Sequence, residues 1–197
     1  MNSNNSKEFD IIVFGGNRQN EDGPLITFCN IARSIGCNLI VITDPSHYSL
    51  STKDGIFSEL LSKNSIPVRV MSKLILDDLK KIIDKRTLGV SINSRWIFSQ
   101  EIIDLFDDKL INYHNAKIPE ERGAAAYSWK ILRGEKQGQL SFHKIDREID
   151  RGPILMTMDI SFPDTVSSPL DYYDCMNEKE EQFFLNFLQQ FREKQTL

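Results

Sequence analysis

Short, almost wholly apolar runs alternate along the first half of the chain with segments whose apolar residues recur every three or four positions. The apolar runs predict buried strands, and the helical spacing predicts amphipathic helices. The predicted strands span residues 9–14, 38–43, 66–70, 87–92 and 109–113. The predicted helices span residues 25–35, 56–63, 74–85, 100–106 and 124–132. Strands that alternate with helices of about ten residues indicate an α/β fold, here a Rossmann-like, mostly parallel sheet flanked by helices.

The pattern changes in the last third of the chain. Residues 140–145 and 154–160 predict two strands, which we expect to be antiparallel neighbours. Residues 162–169 contain Pro, Asp and Ser and predict a loop. Residues 170–194 carry an aromatic stripe at helical spacing, which predicts a C-terminal helical extension. We expect this helix to pack on the sheet or on a partner subunit, as in a homodimer.

Composition excludes several classes of protein. The chain has 24 basic and 28 acidic residues and a net charge of −4, so we expect no nucleic-acid partner. Its three cysteines are far apart and lack metal-ligand spacing, which favours reduced thiols and no metal site. No apolar run approaches the roughly 18 residues of a membrane span, and the polar start is unlike a signal peptide. A cytoplasmic protein fits these observations.

Three polar residues follow apolar runs in the second half of the chain. Asn112 and His114 are two positions apart at a strand end, so their side chains point to the same side of the sheet. Asp150 lies just before the last predicted strand. Each alone is compatible with a structural role, such as Asp150 in a turn. Together they suit attack by an amine on an activated acyl group, because the carbonyl oxygen needs a donor and a proton must move. We therefore predict that Asn112, His114 and Asp150 are catalytic.

The order of these residues resembles the folate-dependent formyltransferase family, which includes glycinamide ribonucleotide, methionyl-tRNA and sugar N-formyltransferases. The motifs that carry the resemblance are Asn112-Tyr113-His114, Pro119, Arg122-Gly123, and the segment from His143 through Asp150 to Gly152. The resemblance implies the formyltransferase fold and 10-formyltetrahydrofolate as formyl donor, with no metal. It leaves open whether His143 shapes the site or is a packed core histidine.

The resemblance also suggests how the chain is divided. Residues 1–8 are expected to form a disordered tail, and residues 9–161 the formyltransferase catalytic domain. Residues 162–197 are expected to form a loop and the C-terminal helix.

The resemblance implies that the folate lies beneath the segment after the fourth strand and against the loop before Asp150. The residues predicted to bind it are Ser94, Arg95, Trp96, Ile97, Phe98, Ile145 and Asp146. Apolar Trp96, Ile97 and Phe98 would form a wall for a flat ring. Core packing is an equally good interpretation of each, and Arg95 either reaches the folate tail or is a surface charge.

The acceptor amine is less constrained by the sequence. The family commonly has apolar residues after the histidine, whereas this chain has Asn115-Ala116-Lys117. The Gly15-Gly16 turn is not a dinucleotide fingerprint, and two acidic residues follow it, which disfavours the purine-pathway phosphate. The acidic net charge disfavours tRNA, and the chain is expected to lack the further C-terminal domain of the tRNA-formylating members. The residues predicted to bind the acceptor are Arg18, Asn115, Lys117 and Arg122.

The prediction is therefore an N-formyltransferase acting on a small-molecule amine, with a nucleotide-linked amino sugar as the first choice. Glycinamide ribonucleotide or another small amine is an alternative acceptor. Two other activities remain open, a 10-formyltetrahydrofolate hydrolase and a non-catalytic folate-binding protein.

Overall fold

The computed structural model describes residues 10–17, 23–52, 54–123 and 126–194. The tail predicted for residues 1–8 lies outside them. The strands are β1 (Ile11–Gly15), β2 (Leu39–Thr43), β3 (Ser51–Thr52), β4 (Gly55–Ile56), β5 (Val68–Val70), β6 (Leu88–Ile92), β7 (Leu110–His114), β8 (Gln137–Lys144) and β9 (Ile154–Ser161). The helices are α1 (Pro24–Ser34), α2 (Pro45–Tyr48), α3 (Phe57–Lys63), α4 (Leu76–Leu79), α5 (Gln100–Leu105), α6 (Ala126–Arg133) and α7 (Pro169–Lys194).

The described strands form a seven-stranded sheet in the order β5-β2-β1-β6-β7-β8-β9, and β3 and β4 form a separate hairpin. The five strands from β5 to β7 are parallel, whereas β8 pairs antiparallel with both β7 and β9. This topology confirms the predicted Rossmann-like α/β fold, including the antiparallel strands near its end. Ligands in such sheets bind beyond the carboxyl ends of the parallel strands. The edge formed by the ends of β6 and β7 is therefore where a site is expected.

The sheet separates two apolar clusters, because successive strand residues point to opposite faces. The face covered by α1 and α7 is rich in aromatic rings. Phe142 of β8 stacks on Phe183 of α7, with centroids 5.1 Å apart, and Phe28 of α1 lies edge-on to Phe184 at 5.4 Å. The opposite face packs on α4 and α5 through a cluster that includes Phe14. The aromatic stripe predicted in the C-terminal helix therefore lies against the chain's own sheet.

Most predicted elements are present with ends shifted by a few residues, but the helix predicted over residues 74–85 is wrong in extent. Only Leu76–Leu79 is helical, and the chain continues in turns. The predicted apolar face is real, since Leu79 and Ile82 are buried. After the helix, the N–H groups of Ile82 and Ile83 both donate to the Leu79 carbonyl at 3.0 Å, and the Asp84 N–H donates to Thr87 Oγ1 at 3.0 Å, so the chain runs through turns.

No helix in the described parts of the chain has both the length and the apolar character needed to cross a membrane.

Candidate active site

Strand β7 presents Asn112 and His114 on one side and Tyr113 on the other. Tyr113 is buried in the aromatic core, with its ring centroid 4.9 Å from that of Phe184. Its hydroxyl donates to Glu180 Oε1 of α7 at 2.5 Å. The residue between Asn112 and His114 is thus anchored in the core, which fixes the direction of its two polar neighbours.

Asp150 comes to these side chains from the loop between β8 and β9. It has a positive φ of 53°, an uncommon backbone conformation outside glycine that Asp tolerates better than most residues. Asn112 Nδ2 lies 3.4 Å from Asp150 Oδ1, and His114 Nδ1 lies 3.9 Å from Asp150 Oδ2. The Gly123 N–H donates to Oδ2 at 2.9 Å. The structure therefore brings the three predicted catalytic residues together.

His143 is a fourth member of this cluster. It lies on β8 directly opposite Asn112, with only 2% of its side chain exposed. Its Nδ1 donates to the Lys144 carbonyl at 2.8 Å, which leaves Nε2 as an acceptor in the neutral ring. This Nε2 lies 3.1 Å from Asn112 Nδ2 and 3.5 Å from Asp150 Oδ1. His143 thus contacts both side chains and orients the Asn112 amide.

The imidazole of His114 is held from its other side by a loop residue. Its Nε2 lies 2.9 Å from the main-chain oxygen of Glu121. A carbonyl oxygen can only accept a hydrogen bond, so Nε2 carries a hydrogen and Nδ1 faces Asp150. The sequence analysis did not single out Glu121. Its contact with His114 is made by the main-chain carbonyl, which the identity of a side chain does not predict.

The electrostatics of the cluster are dominated by the Asp150 carboxylate. Burial alone would raise its pKa, but the contact with His143, the hydrogen bond from the Gly123 N–H and the nearby His114 lower the pKa to about 2. Asp150 is therefore ionised at neutral pH.

A cavity of about 280 Å³ opens next to the cluster, close to the lower end of the size of ligand pockets. Its lining includes every residue predicted to bind folate, namely Ser94, Arg95, Trp96, Ile97, Phe98, Ile145 and Asp146. Asn112, His114, His143 and Asp150 also line it. The cavity therefore joins the predicted donor pocket to the polar cluster.

The residues predicted to bind folate differ in how exposed their side chains are and in what else they contact. Ile97 is 76% exposed, and Ile149 in the loop across the cavity is 63% exposed. Phe98 is 7% exposed and packs edge-on to Phe14 at 5.2 Å, so it also belongs to the core. Arg95 Nη1 donates to Ser46 Oγ at 2.6 Å, which ties its guanidinium to α2.

The predicted acceptor residues are only partly gathered at the site. Asn115 lines the cavity, and its carbonyl accepts from the Tyr127 hydroxyl at 2.5 Å. Arg122 is exposed and donates from Nε to the Asp150 carbonyl at 3.0 Å. Lys117 is exposed, with Nζ 3.5 Å from Glu120 Oε1. Arg18 lies outside the described residues.

Among the residues that the structure describes, no group of three or more His, Cys, Asp or Glu side chains could hold a metal ion.

A parallel sheet with an amide, two imidazoles and a carboxylate beside a cavity at its carboxyl edge is typical of α/β enzymes that bind small ligands. Residues 11–188 match the sequence model described as formyl transferase, and the chain belongs to this family. The resemblance seen in the sequence motifs is thereby confirmed.

The curated relatives that match part of this chain include methionyl-tRNA formyltransferases. The chain is 33% identical over 122 residues to methionyl-tRNA formyltransferase of Mycoplasma genitalium, covering 62% of this chain and 35% of that relative. The chain spans about a fifth to two fifths of the length of the first curated relatives it matches.

Two solved structures share the fold over nearly the whole chain. Phosphoribosylglycinamide formyltransferase of Streptococcus pneumoniae has a TM-score of 0.70 at 14% identity, covering 93% of this chain and 98% of its own. The N-formyltransferase of Helicobacter canadensis, solved with folinic acid and dTDP-3-aminofucose, has a TM-score of 0.73 at 18% identity, covering 95% of this chain and 65% of its own. At these identities the comparisons establish a common fold.

Proposed function

We propose that this protein transfers a formyl group from 10-formyltetrahydrofolate to an amine, with Asn112, His114 and Asp150 as its catalytic residues. The observation that carries the proposal is the convergence of these side chains, with His143, at one end of a cavity in a chain of the formyl transferase family. Binding of folate alone would not require this combination of amide, imidazole and carboxylate.

The residues fit the proposed donor. The exposed side chains of Ile97 and Ile149 face the same cavity and would be covered by a flat ring. We propose that Ser94, Arg95, Trp96, Ile97, Phe98, Ile145 and Asp146 hold the folate. Bound there, the folate supplies the formyl carbon, which gains a bond to the amine nitrogen and loses its bond to N10, while the amine proton passes to N10.

Each catalytic side chain then has a distinct task. The Asn112 amide donates to the negative charge that develops on the carbonyl oxygen, and one such donor is commonly worth about 3 kcal/mol. His114, whose hydrogen is on Nε2, accepts at Nδ1 the proton that the attacking amine loses and passes it on to N10. The ionised Asp150 faces Nδ1 and stabilises the charged imidazole that forms when the proton arrives. His143 and the Gly123 N–H keep Asn112 and Asp150 in position.

We propose a nucleotide-linked amino sugar as the acceptor. The support is the structural likeness to the Helicobacter canadensis enzyme solved with dTDP-3-aminofucose, together with the polar loop after His114. Asn115, Lys117, Arg122 and Arg18 are the proposed acceptor contacts. Glycinamide ribonucleotide is the alternative, supported by the likeness to phosphoribosylglycinamide formyltransferases. The sequence relatives named methionyl-tRNA formyltransferase make methionyl-tRNA a necessary comparison, although the net charge of −4 disfavours it.

The test is mass spectrometry of reactions that contain the protein, 10-formyltetrahydrofolate and one acceptor at a time. The acceptors are 3-amino and 4-amino sugar nucleotides, glycinamide ribonucleotide and methionyl-tRNA. Formylation of a sugar nucleotide supports the proposal, and formylation of another acceptor corrects the substrate class. Formate release without a formylated product would instead identify a hydrolase. Folate binding without either reaction would leave a binding protein and refute the enzyme proposal.

A further inference from the structure

The His114 ring is positioned by the main chain of the loop that follows β7. Its Nε2 donates to the Glu121 carbonyl at 2.9 Å, and its Nδ1 faces Asp150 Oδ2 at 3.9 Å. The partner of one ring nitrogen determines which nitrogen carries the hydrogen in neutral histidine. The location of the Glu121 carbonyl therefore makes Nδ1, which faces Asp150, the nitrogen that exchanges a proton at the site.

Glu121 is itself fixed through its main chain and its carboxylate. Its N–H donates to the Lys117 carbonyl at 2.7 Å, and its Oε2 accepts from the Lys117 N–H at 2.8 Å. Its Oε1 forms an ion pair with Lys130 Nζ of α6. The peptide unit that contacts His114 is thus restrained from both its backbone and its side chain.

Lys130 joins this loop to two other elements. Only 3% of its side chain is exposed, and Nζ also donates to the carbonyl of Gln137, the first residue of β8, at 2.7 Å. Glu135 Oε2 lies 3.7 Å from the same nitrogen. Lysine is rarely buried this completely unless it is paired, and removing one partner leaves a buried charge uncompensated. The ion pair therefore resists movement of the loop relative to α6 and β8.

We propose that the buried Glu121–Lys130 ion pair is a positioning element for His114 that keeps the ring hydrogen on Nε2. Neither side chain is among those lining the cavity, so its effect on catalysis passes through His114. This catalytic consequence rests on the proposed formyl transfer, whereas the effect on the imidazole does not. Misplacing a reacting group costs up to about a hundredfold in rate, so losing the pair is expected to lower kcat by about ten- to a hundredfold. KM for the donor should change little, because the proposed folate contacts lie on other segments.

The direct test is the tautomer of His114, observed by long-range ¹H–¹⁵N NMR of protein labelled at its three histidines. The His114 signals are assigned by their absence from a His114→Ala sample, and spectra are recorded where the ring is neutral. Lys130→Met should convert the wild-type Nε2–H form into a mixture that contains Nδ1–H. Lys136→Met is the matched control, because Lys136 Nζ donates instead to the Val166 carbonyl at 3.1 Å. This control should keep the wild-type tautomer.

Glu121→Gln provides an independent variant that keeps the main-chain carbonyl and an acceptor for the Lys117 N–H but removes the charge opposite Lys130. It tests the proposal even if Lys130→Met does not fold, and circular dichroism verifies folding of each variant. The proposal is overturned if a folded variant retains the wild-type tautomer. A wild type that shows the Nε2–H form yet transfers no formyl group would refute the proposed function and leave the positioning role intact.

Discussion

Replacement of Asp150 by Asn should change the pH dependence of stability in a way that the site geometry predicts. The substitution preserves the shape of the side chain and an acceptor for the Gly123 N–H, but removes the negative charge beside two imidazoles. In the folded protein the pKa of Asp150 is lowered from its ordinary value of 3.8 to about 2. That difference of roughly 1.8 pH units corresponds to about 2 kcal/mol of stability, at about 1.4 kcal/mol per unit.

The sign follows from the direction of the shift. Because the folded-state pKa of Asp150 lies below its ordinary value, the carboxylate stabilises the fold fully above about pH 4. This contribution is lost as the pH falls towards 2, where the folded protein also binds the proton. The free-energy difference between wild type and Asp150→Asn should therefore shrink by about 2 kcal/mol between pH 5 and pH 2.

The assay is urea unfolding of both proteins at intervals across this range. Asp146→Asn, which removes an exposed carboxylate from the same loop, reports the effect of the lost net charge. Subtracting that effect leaves the local contacts of Asp150 with the two imidazoles and the Gly123 N–H. A difference between wild type and Asp150→Asn that stays constant from pH 5 to pH 2 would refute the assigned electrostatics.

Three further predictions follow from individual contacts. His114→Ala should lower the single-turnover rate of formyl transfer by about a hundredfold or more, as expected for a positioned acid–base group, and an unchanged rate would exclude that role. Tyr113→Phe should lower the free energy of unfolding by about 1–3 kcal/mol, measured in urea, because the buried Glu180 carboxylate loses the phenol donor. Gly152→Ala should displace the Asp150 loop and lower kcat by about tenfold or more, since the added Cβ would lie 1.8 Å from the Lys144 carbonyl oxygen; normal kinetics would contradict this placement.

The sequence contains the information for the sheet and for part of the site. Residues such as Ile11–Gly15 and Leu39–Thr43 form strands buried on both faces, and a continuous apolar run is a direct sign of this. The alternation of side chains along a strand predicts that Asn112 and His114 share a face, and in the structure both line the same cavity. The loop that returns Asp150 to them follows from the antiparallel strands that flank it.

Other features depend on contacts that a single sequence does not reveal. His143 joins the site because β8 pairs with β7 in the register that puts it opposite Asn112. That register is set by the whole sheet, so the sequence alone left its role open. The sequence analysis did not single out Lys130, because the ion pair depends on Glu121, which reaches this lysine from a preceding loop.

The segment after β5 illustrates the limit of periodicity. The spacing of apolar residues correctly predicts which side chains are buried, such as Leu79 and Ile82, but not that the backbone leaves the helix after one turn. The N–H groups of Ile82 and Ile83 share the Leu79 carbonyl, and Asp84 and Thr87 then form hydrogen bonds with each other in a turn. The spacing of apolar residues in this segment therefore predicts which side chains are buried but not the conformation of the backbone.

The central claim, that Asn112 stabilises charge during formyl transfer, is tested most directly by following an isotopic label from the donor. Wild-type protein and Asn112→Ala are mixed with 10-formyltetrahydrofolate labelled in the formyl carbon and with the acceptor identified by mass spectrometry. Calorimetry with folinic acid measures donor binding separately. We predict that wild type transfers the label to the acceptor nitrogen, and that Asn112→Ala binds folinic acid with similar affinity but transfers label about a hundred- to a thousandfold more slowly. Equal rates of label transfer in the two proteins would contradict the account.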